Sequence, residues 1–325
     1  MPEGPEVHSQ ADALNAFLQN STITRIRFRK GWTNRKTLDP GFDDLISSLP
    51  LKVVKVWAAG KKIIIRFRGY RYIVVFLGME GRWSYEKLKY SHIYIQTQEN
   101  NRIWYDDKRY LGNFEVCNSR ESLRLRLSKI GPDLITDLIS TQDWLDETTN
   151  SKVATKQICD FLMDQKYFSG IGNYLKAEIL YAAKIRPDAC MGELSRSLLE
   201  TLFEITRKII YNSYVAQGAS LYSYINTDGK KGNFQCIVYG NATDPLDNPV
   251  IKSIFQDDRV THWVPAIQVL PSPWNGYSRL SHRKLKTTNK SDGYLNWELR
   301  SFCLQRHVGT EGTKAVMIRR LLTTI

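Results

Sequence analysis

The sequence predicts an α+β multidomain chain, and three observations carry that prediction. Seven short strand-like runs crowd into the first 131 residues. Between 135 and 217 the apolar spacing changes to the 3.6-residue period of helices. From 276 to 290 there are five Lys or Arg and no acid, and this stretch sets a last helical segment apart from the rest.

The elements follow in order. Residues 6–18 place Val7, Ala11, Leu14, Phe17 and Leu18 at helical spacing. Strands are expected at 22–28, 53–58, 62–67, 72–77, 92–97, 102–105 and 114–117, enough for a sandwich or barrel. Gly131-Pro132 marks the exit from this first domain, 2–131. Helices are expected at 156–163, 172–183 and 193–212 within a second domain, 132–235, whose Gly, Ser and Tyr-rich end (218–235) reads as a loop. Residues 236–270 read as a β-hairpin, with 236–240 pairing 250–268 across the turn Asp244-Pro245-Leu246-Asp247-Asn248-Pro249. A basic linker (271–290) and a small helical module (291–325) complete the chain.

With 325 residues and 42% hydrophobic content, the chain can bury more than one core. No apolar run approaches the roughly 18 residues of a membrane span, and the first residues lack a basic-then-apolar signal pattern. The expectation is an intracellular monomer, not secreted and not membrane-bound, in the nucleus or another DNA-containing compartment. The net charge of +13 points to a polyanionic partner, nucleic acid first. The five cysteines include no C-x-x-C pair, which argues against structural zinc and for reduced thiols.

The chemistry concentrates at the start, Met1-Pro2-Glu3-Gly4-Pro5-Glu6-Val7. Removal of Met1 would leave Pro2 as a free secondary amine. An α-amino group titrates near pH 8, so part of it is unprotonated at neutrality and can form a Schiff base with a sugar carbon such as C1′. Glu3 and Glu6 can supply the acid that protonates a leaving group. Lys61, on the Gly60-Lys61-Lys62 turn, can reach a phosphate or assist proton transfer. Ser169-Gly170-Ile171-Gly172-Asn173 precedes a helix, so the backbone at Gly172 and the side chain of Asn173 can meet a phosphate. Met79, Arg109 and Leu111 lie on loops, where apolar groups and an arginine can fill the gap left by an extruded base. Arg259 sits at a hairpin tip, suited to phosphates. No G-K-[ST] follows Gly172, so this is not a nucleotide P-loop, and no metal, nucleotide or flavin cofactor is expected.

These pieces, in this order, resemble the formamidopyrimidine-DNA glycosylase/endonuclease VIII family over about residues 2–270. The resemblance rests on Pro2-Glu3-Gly4-Pro5-Glu6-Val7, Gly60-Lys61, 107–112, 162–185 with Gly170-Ile171-Gly172-Asn173, Asp228-Gly229-Lys230-Lys231-Gly232-Asn233-Phe234, and 259–268. It implies an N-terminal two-sheet β-sandwich, a helix–two-turn–helix domain and an antiparallel finger, with damaged double-stranded DNA as partner. It implies Pro2 as Schiff-base nucleophile, Glu3 as general acid with Glu6 in support, and Lys61 at the phosphate beside the lesion. Asn173 and Arg259 would hold phosphates; Met79, Arg109 and Leu111 would fill the void.

Three departures from the family pattern stand out. The finger carries Thr261-His262-Trp263 and no C-x-x-C, so it resembles the zincless finger of some eukaryotic and giant-virus members. Leu111 stands where Phe is frequent, and Lys108 and Tyr110 flank Arg109. The tail resembles a SAP motif, a DNA-binding helix–loop–helix, through Gly309-Thr310-Glu311-Gly312-Thr313-Lys314 and Ile318-Arg319-Arg320; Lys314 is its candidate DNA contact. Residues 276–325 hold ten Lys or Arg against three acids, hence +7 of the +13.

The activity implied is a bifunctional glycosylase and AP lyase of base excision repair. Loop 228–234 leans toward oxidised purines (8-oxoguanine, formamidopyrimidines). The finger leans toward oxidised pyrimidines or toward plant and fungal purine enzymes. A noncatalytic damaged-DNA-binding protein is the reading from a different class.

Overall fold

The computed structural model describes residues 2–33, 38–220, 224–270, 299 and 314–322. The chain divides into two compact units interleaved in sequence. The first takes Met1–Leu138, Asp164–Leu175 and Arg207–Cys236; the second takes Ile139–Met163, Lys176–Thr206 and Ile237–Ile325.

In the first unit, α1 (Gly4–Leu18) begins two residues earlier than its apolar spacing suggested. Pro5 falls in its first turn, where a missing N–H removes no helical hydrogen bond. The strands are β1 (Thr22–Phe28), β2 (Leu51–Ala59), β3 (Lys62–Phe67), β4 (Arg71–Phe76), β5 (Arg82–Ser84), β6 (Ser91–Thr97), β7 (Arg102–Asp106) and β8 (Asn113–Cys117). They hydrogen-bond in the order β5-β7-β6-β1-β2-β3-β4-β8. Between β1 and β2 the ladder shrinks to Thr22↔Lys52 and Ile23↔Leu51, and there the series folds into the two leaves of a sandwich. Alternation then sends one side chain in two inward. Ile63, Ile65, Phe67, Ile73, Val75, Ile93, Ile95, Ile103 and Tyr105 form the core with Val7, Ala11, Leu14 and Leu18 of α1. Ile64, Tyr72 and Val74 point the other way and are covered by Leu123 of α4 (Arg120–Leu127), so this leaf is buried on both faces.

Helices α2 (Lys30–Thr33), α3 (Gly41–Ser47) and α4, and the three-residue strand β5, carry too little periodicity to be read from sequence. Ser119, which caps α4 by accepting the Ser122 N–H at 3.0 Å, was the available signal.

The second unit holds α5 (Thr141–Thr148), α6 (Ile158–Met163) and the hairpin β9 (Ile251–Ile254) and β10 (Val260–Trp263). Helices α7 (Asn173–Ala182) and α8 (Arg196–Val215) contribute residues to both units. The hairpin corrects the expected pairing of 236–240 with 250–268. Both strands lie inside 250–268, and 236–240 is not a strand. The cause is a competing acceptor: Glu178 takes the N–H groups of Ile237, Val238 and Tyr239 at 2.8–3.0 Å, leaving no donor for a ladder. The turn at 244–249 closes on itself, with Asp244 accepting from Leu246 N and Asn248 N. The hairpin is held by packing. The Trp263 indole donates to Ser253, the Arg186 guanidinium lies over its ring, and Val238 and Val264 are buried against Ala177.

Helix α9 (Lys314–Leu322) is described. The expected linker 271–290, residues 221–223 of the expected loop, and most of the expected module 291–325 lie outside the described residues.

Candidate active site

The site is assembled around the first turn of α7. Four N–H groups at a helix start lack helical partners and carry partial positive charge. Here the Glu3 carboxylate takes three backbone donors of this region. Oε2 accepts Gly172 N at 2.7 Å and Leu175 N at 3.3 Å, and Oε1 accepts Tyr174 N at 2.9 Å. Glycine is required at 172 because a Cβ there would lie 2.2 Å from Glu3 Cδ. Glu3 is 2% exposed. Burial pushes its carboxyl from 4.5 up to about 7; the Lys61 ammonium opposes the rise, the Glu6 carboxylate adds to it, and the Tyr174 and Leu175 N–H groups oppose it. A carboxyl titrating near neutrality holds a proton for donation and can take it back, as a general acid must.

Glu6 is equally buried and braces this arrangement. Its Oε2 accepts Glu3 N at 2.8 Å; its Oε1 accepts the Tyr174 hydroxyl and Ala219 N, both at 2.8 Å. Tyr174 also meets Ser213 at 2.8 Å. The loop before α7 is clamped by Gln165, which donates to Ile171 O at 2.9 Å and accepts Gly170 N at 3.1 Å.

Lys61 sits in the β2–β3 turn, where Gly60 has φ +56 and abuts Ser169. The turn is pinned by Asp133, which accepts Gly60 N and also meets His8 Nε2 at 2.8 Å and Ile135 N at 2.8 Å. Burial opposes ionisation of Asp133, yet the bonds from His8, Ile135 and Gly60 hold its carboxyl below the usual range. Lys61 is thus set by a buried His8–Asp133 pair that the sequence did not reveal.

Pro2 is buried and borders a cavity of about 260 Å³ with Glu80, Gly81, Arg82, Tyr90, Asp106, Lys108, Tyr224 and Ile225. The loops beside it carry Met79, half-buried, and Arg109 and Leu111, both exposed. They are organised by Asp107, fully buried, which accepts Gly112 N at 2.7 Å and Arg109 N at 3.1 Å. Gly78, at φ +71, is pressed against Leu111, so the two loops touch. Arg109 also reaches Glu80 at 3.8 Å.

Pro2, Glu3, Glu6, Lys61, Met79, Arg109, Leu111, Gly172 and Asn173 therefore belong to one unit; Arg259 and Lys314 belong to the other. The Gly172 N–H is engaged by Glu3. Arg259 is exposed at the hairpin tip, its N–H donating to Asp257 Oδ1 at 3.4 Å. Asp257 forms a fully buried ion pair with Lys176. Sequence reasoning missed His8, Asp107, Asp133, Tyr174, Lys176 and Asp257. All are polar side chains at buried positions; Asp107, Tyr174 and Lys176 lay inside recognised segments and His8, Asp133 and Asp257 beside them, but none was singled out because nothing local marks a polar side chain as buried.

Among the described residues no three His, Cys, Asp or Glu side chains cluster as a metal site, and no helix is long and apolar enough to cross a membrane.

Comparison with known proteins decides the family. The formamidopyrimidine-DNA glycosylase N-terminal domain matches residues 1–114, and the H2TH domain of the same family matches 130–223. The chain belongs to the formamidopyrimidine-DNA glycosylase family. It is 27% identical over 278 residues to the formamidopyrimidine-DNA glycosylase of Listeria monocytogenes serotype 4b, covering 82% of this chain and 100% of the relative. It is 28% identical over 285 residues to that of Pediococcus pentosaceus, covering 83% and 100%. Among solved structures, MutM (Fpg) from Thermus thermophilus superposes with TM-score 0.72 at 21% identity, covering 82% of this chain and 98% of that one. Lactococcus lactis Fpg bound to abasic-site DNA gives 0.72 at 23%, covering 82% and 99%. The formamidopyrimidine-DNA glycosylase fold, with its β-sandwich and H2TH domain, is the fold found here.

Proposed function

We propose that this DNA glycosylase of base excision repair is bifunctional, coupling base removal to strand cleavage through Pro2. The observation that carries the reading is the buried Glu3 carboxyl, poised near pH 7 beside Pro2 at the start of α7. After excision of Met1, the Pro2 nitrogen attacks C1′ and the glycosidic bond breaks. The electron pair goes to the departing base, which takes a proton relayed by Glu3 and Lys61. The attacking nitrogen then loses its own proton, its lone pair opens the ring by breaking the C1′–O4′ bond, and O4′ takes a proton, which leaves a cationic iminium (protonated Schiff base) between Pro2 and the sugar. Removal of the C2′ proton expels the 3′ phosphate, and a second elimination expels the 5′ phosphate, leaving a one-nucleotide gap. Asn173 and Arg259 hold phosphates; Met79, Arg109 and Leu111 fill the vacated stack.

Oxidised purines are the favoured lesions. The resemblance at 228–234 supports this, and the loop there is built, with Asn226 accepting Asp228 N and Lys230 N at 3.1 and 2.9 Å. Single-turnover release from duplexes carrying 8-oxoguanine, a formamidopyrimidine or an oxidised pyrimidine tests it. Faster purine release supports the assignment, and faster pyrimidine release replaces it. The finger is proposed to fold without zinc, on the packing of Trp263 and Val264 and the Lys176–Asp257 pair. The tail beyond Leu270 is proposed to add salt-sensitive DNA affinity through its SAP-like module. Truncation there is expected to weaken duplex binding and flatten its salt dependence; an unchanged slope sinks that role.

A further inference from the structure

The outward face of one sandwich leaf carries a strip of cations and aromatic rings that the Pro2 chemistry does not use. Ladder register aligns Arg27, Tyr94, Trp104 and Ser84 in one cross-strand row, and Arg25, Gln96 and Arg102 in the next. The alternate residues Ile26, Ile93, Ile95, Ile103 and Trp83 fill the core, so these rows face away from it. Tyr94 and Trp104 lie 4.8 Å apart between ring centres. The Arg102 guanidinium is 5.1 Å from the Tyr94 ring centre and the Lys87 ammonium 5.9 Å from that of Trp104.

Tyr90 continues the pattern, with Lys89 and Lys108 at 5.4 and 6.0 Å from its ring. Tyr90 and Lys108 also border the cavity beside Pro2. Among the described residues, no carboxylate forms an ion pair with Arg25, Arg27, Lys87, Lys89, Arg102 or Lys108. All six are exposed.

Exposed cations without a carboxylate partner suit a phosphate backbone, even though Ser84, Gln96 and Trp104 between them are buried and Arg102 also donates to Gln96 Oε1 at 2.8 Å. The half-buried rings of Tyr94 and Tyr90 and the exposed guanidinium of Arg102, with the buried Trp104 packed against Tyr94, suit unstacked bases, which a duplex does not present. We propose that this strip, running from the cavity edge at Tyr90 and Lys108 across β7 and β6 to Arg25 and Arg27, binds a single-stranded DNA segment. The occupant is an unpaired stretch next to the lesion, as in a bubble or overhang. The strip's continuity with the Pro2 cavity ties that position to the proposed enzyme site, while binding itself is independent of the chemistry there.

The full chain is tested with a labelled oligothymidylate of about 16 nucleotides and with a blunt duplex. The variants are Tyr94→Ala, Arg102→Glu, their combination, and Arg27→Glu as an exposed change that leaves the rings intact. The combination is expected to weaken single-strand binding about tenfold or more, and each lost cation to reduce the salt slope by about 0.7. Blunt-duplex affinity and lesion cleavage should stay within about twofold of the parent. Unchanged single-strand affinity overturns the proposal, as does an equal loss on both DNAs, which would mark a general charge effect. Cleavage assayed on the same preparations separates the two readings. A parent that cleaves nothing, yet loses single-strand binding on mutation of the strip, would sink the enzyme reading and leave this one standing.

Discussion

Replacing Glu3 by Gln should change how the stability of the protein depends on pH. The Glu3 carboxyl is buried, and its value rises from 4.5 to about 7. A raised folded-state value means that the fold binds a proton more tightly than the unfolded chain does. Its stabilising contribution is therefore fully present below pH 4.5 and is lost as pH rises through about 7. The displacement corresponds to about 3 kcal/mol lost across that window. Gln cannot ionise, so the variant should not show this fall. It carries its own pH-independent cost of about 1–3 kcal/mol, because its NH2 must face at least one of the N–H groups of Gly172, Tyr174 and Leu175. Urea unfolding of both proteins across the acid-to-neutral range measures the effect, since titrating groups that do not interact with Glu3 cancel in the difference. The difference should move by about 3 kcal/mol in favour of the variant as pH rises. A constant difference would refute the reasoning that burial holds Glu3 protonated near neutrality.

Gly172→Ala puts a methyl 2.2 Å from Glu3 Cδ and should cut base release by about 100-fold or more, read by single-turnover assay; a rate within a few-fold of the parent would mean the carboxylate relocates freely. Asp133→Asn weakens the acceptor for Gly60 N and His8 and should slow chemistry more than it weakens DNA binding, so kcat should fall while KM stays nearly constant. His8→Gln, which keeps a donor to Asp133, should recover more activity than His8→Leu. Lys176→Met leaves Asp257 buried and unpaired and should cost about 3–5 kcal/mol, while Lys176→Met with Asp257→Leu should recover most of it, measured by denaturant unfolding.

The sandwich was legible because short β-branched and aromatic runs, such as Lys62–Phe67 and Arg71–Phe76, recur between turn residues. Pro2, Glu3 and Gly172 stood out because they occur together and in order with Gly60-Lys61, 107–112 and 259–268; a proline near the start or a glycine-rich helix entry is common by itself. What the sequence hid depends on pairings far apart in the chain. Glu178 captured three N–H groups about 60 positions downstream and so moved the hairpin. His8 and Asp133 are 125 positions apart and look like ordinary polar residues until they meet beneath the Lys61 turn. Lys176 sits on a helix where a lysine reads as solvated, yet it is completely buried. Propensity describes neighbours along the chain, whereas these residues are defined by partners across it.

The central claim is that Pro2 forms an iminium (Schiff base) with the sugar while Glu3 serves as its acid. Borohydride trapping on duplex DNA with one abasic site tests it most directly, run with the parent, Pro2→Gly and Glu3→Gln, and with the N-terminus read by mass spectrometry. The account predicts a covalent protein–DNA complex whose cross-link maps to Pro2 in protein lacking Met1. A preparation that lacks Met1, binds the duplex and traps nothing would contradict it and bring the noncatalytic binding reading forward.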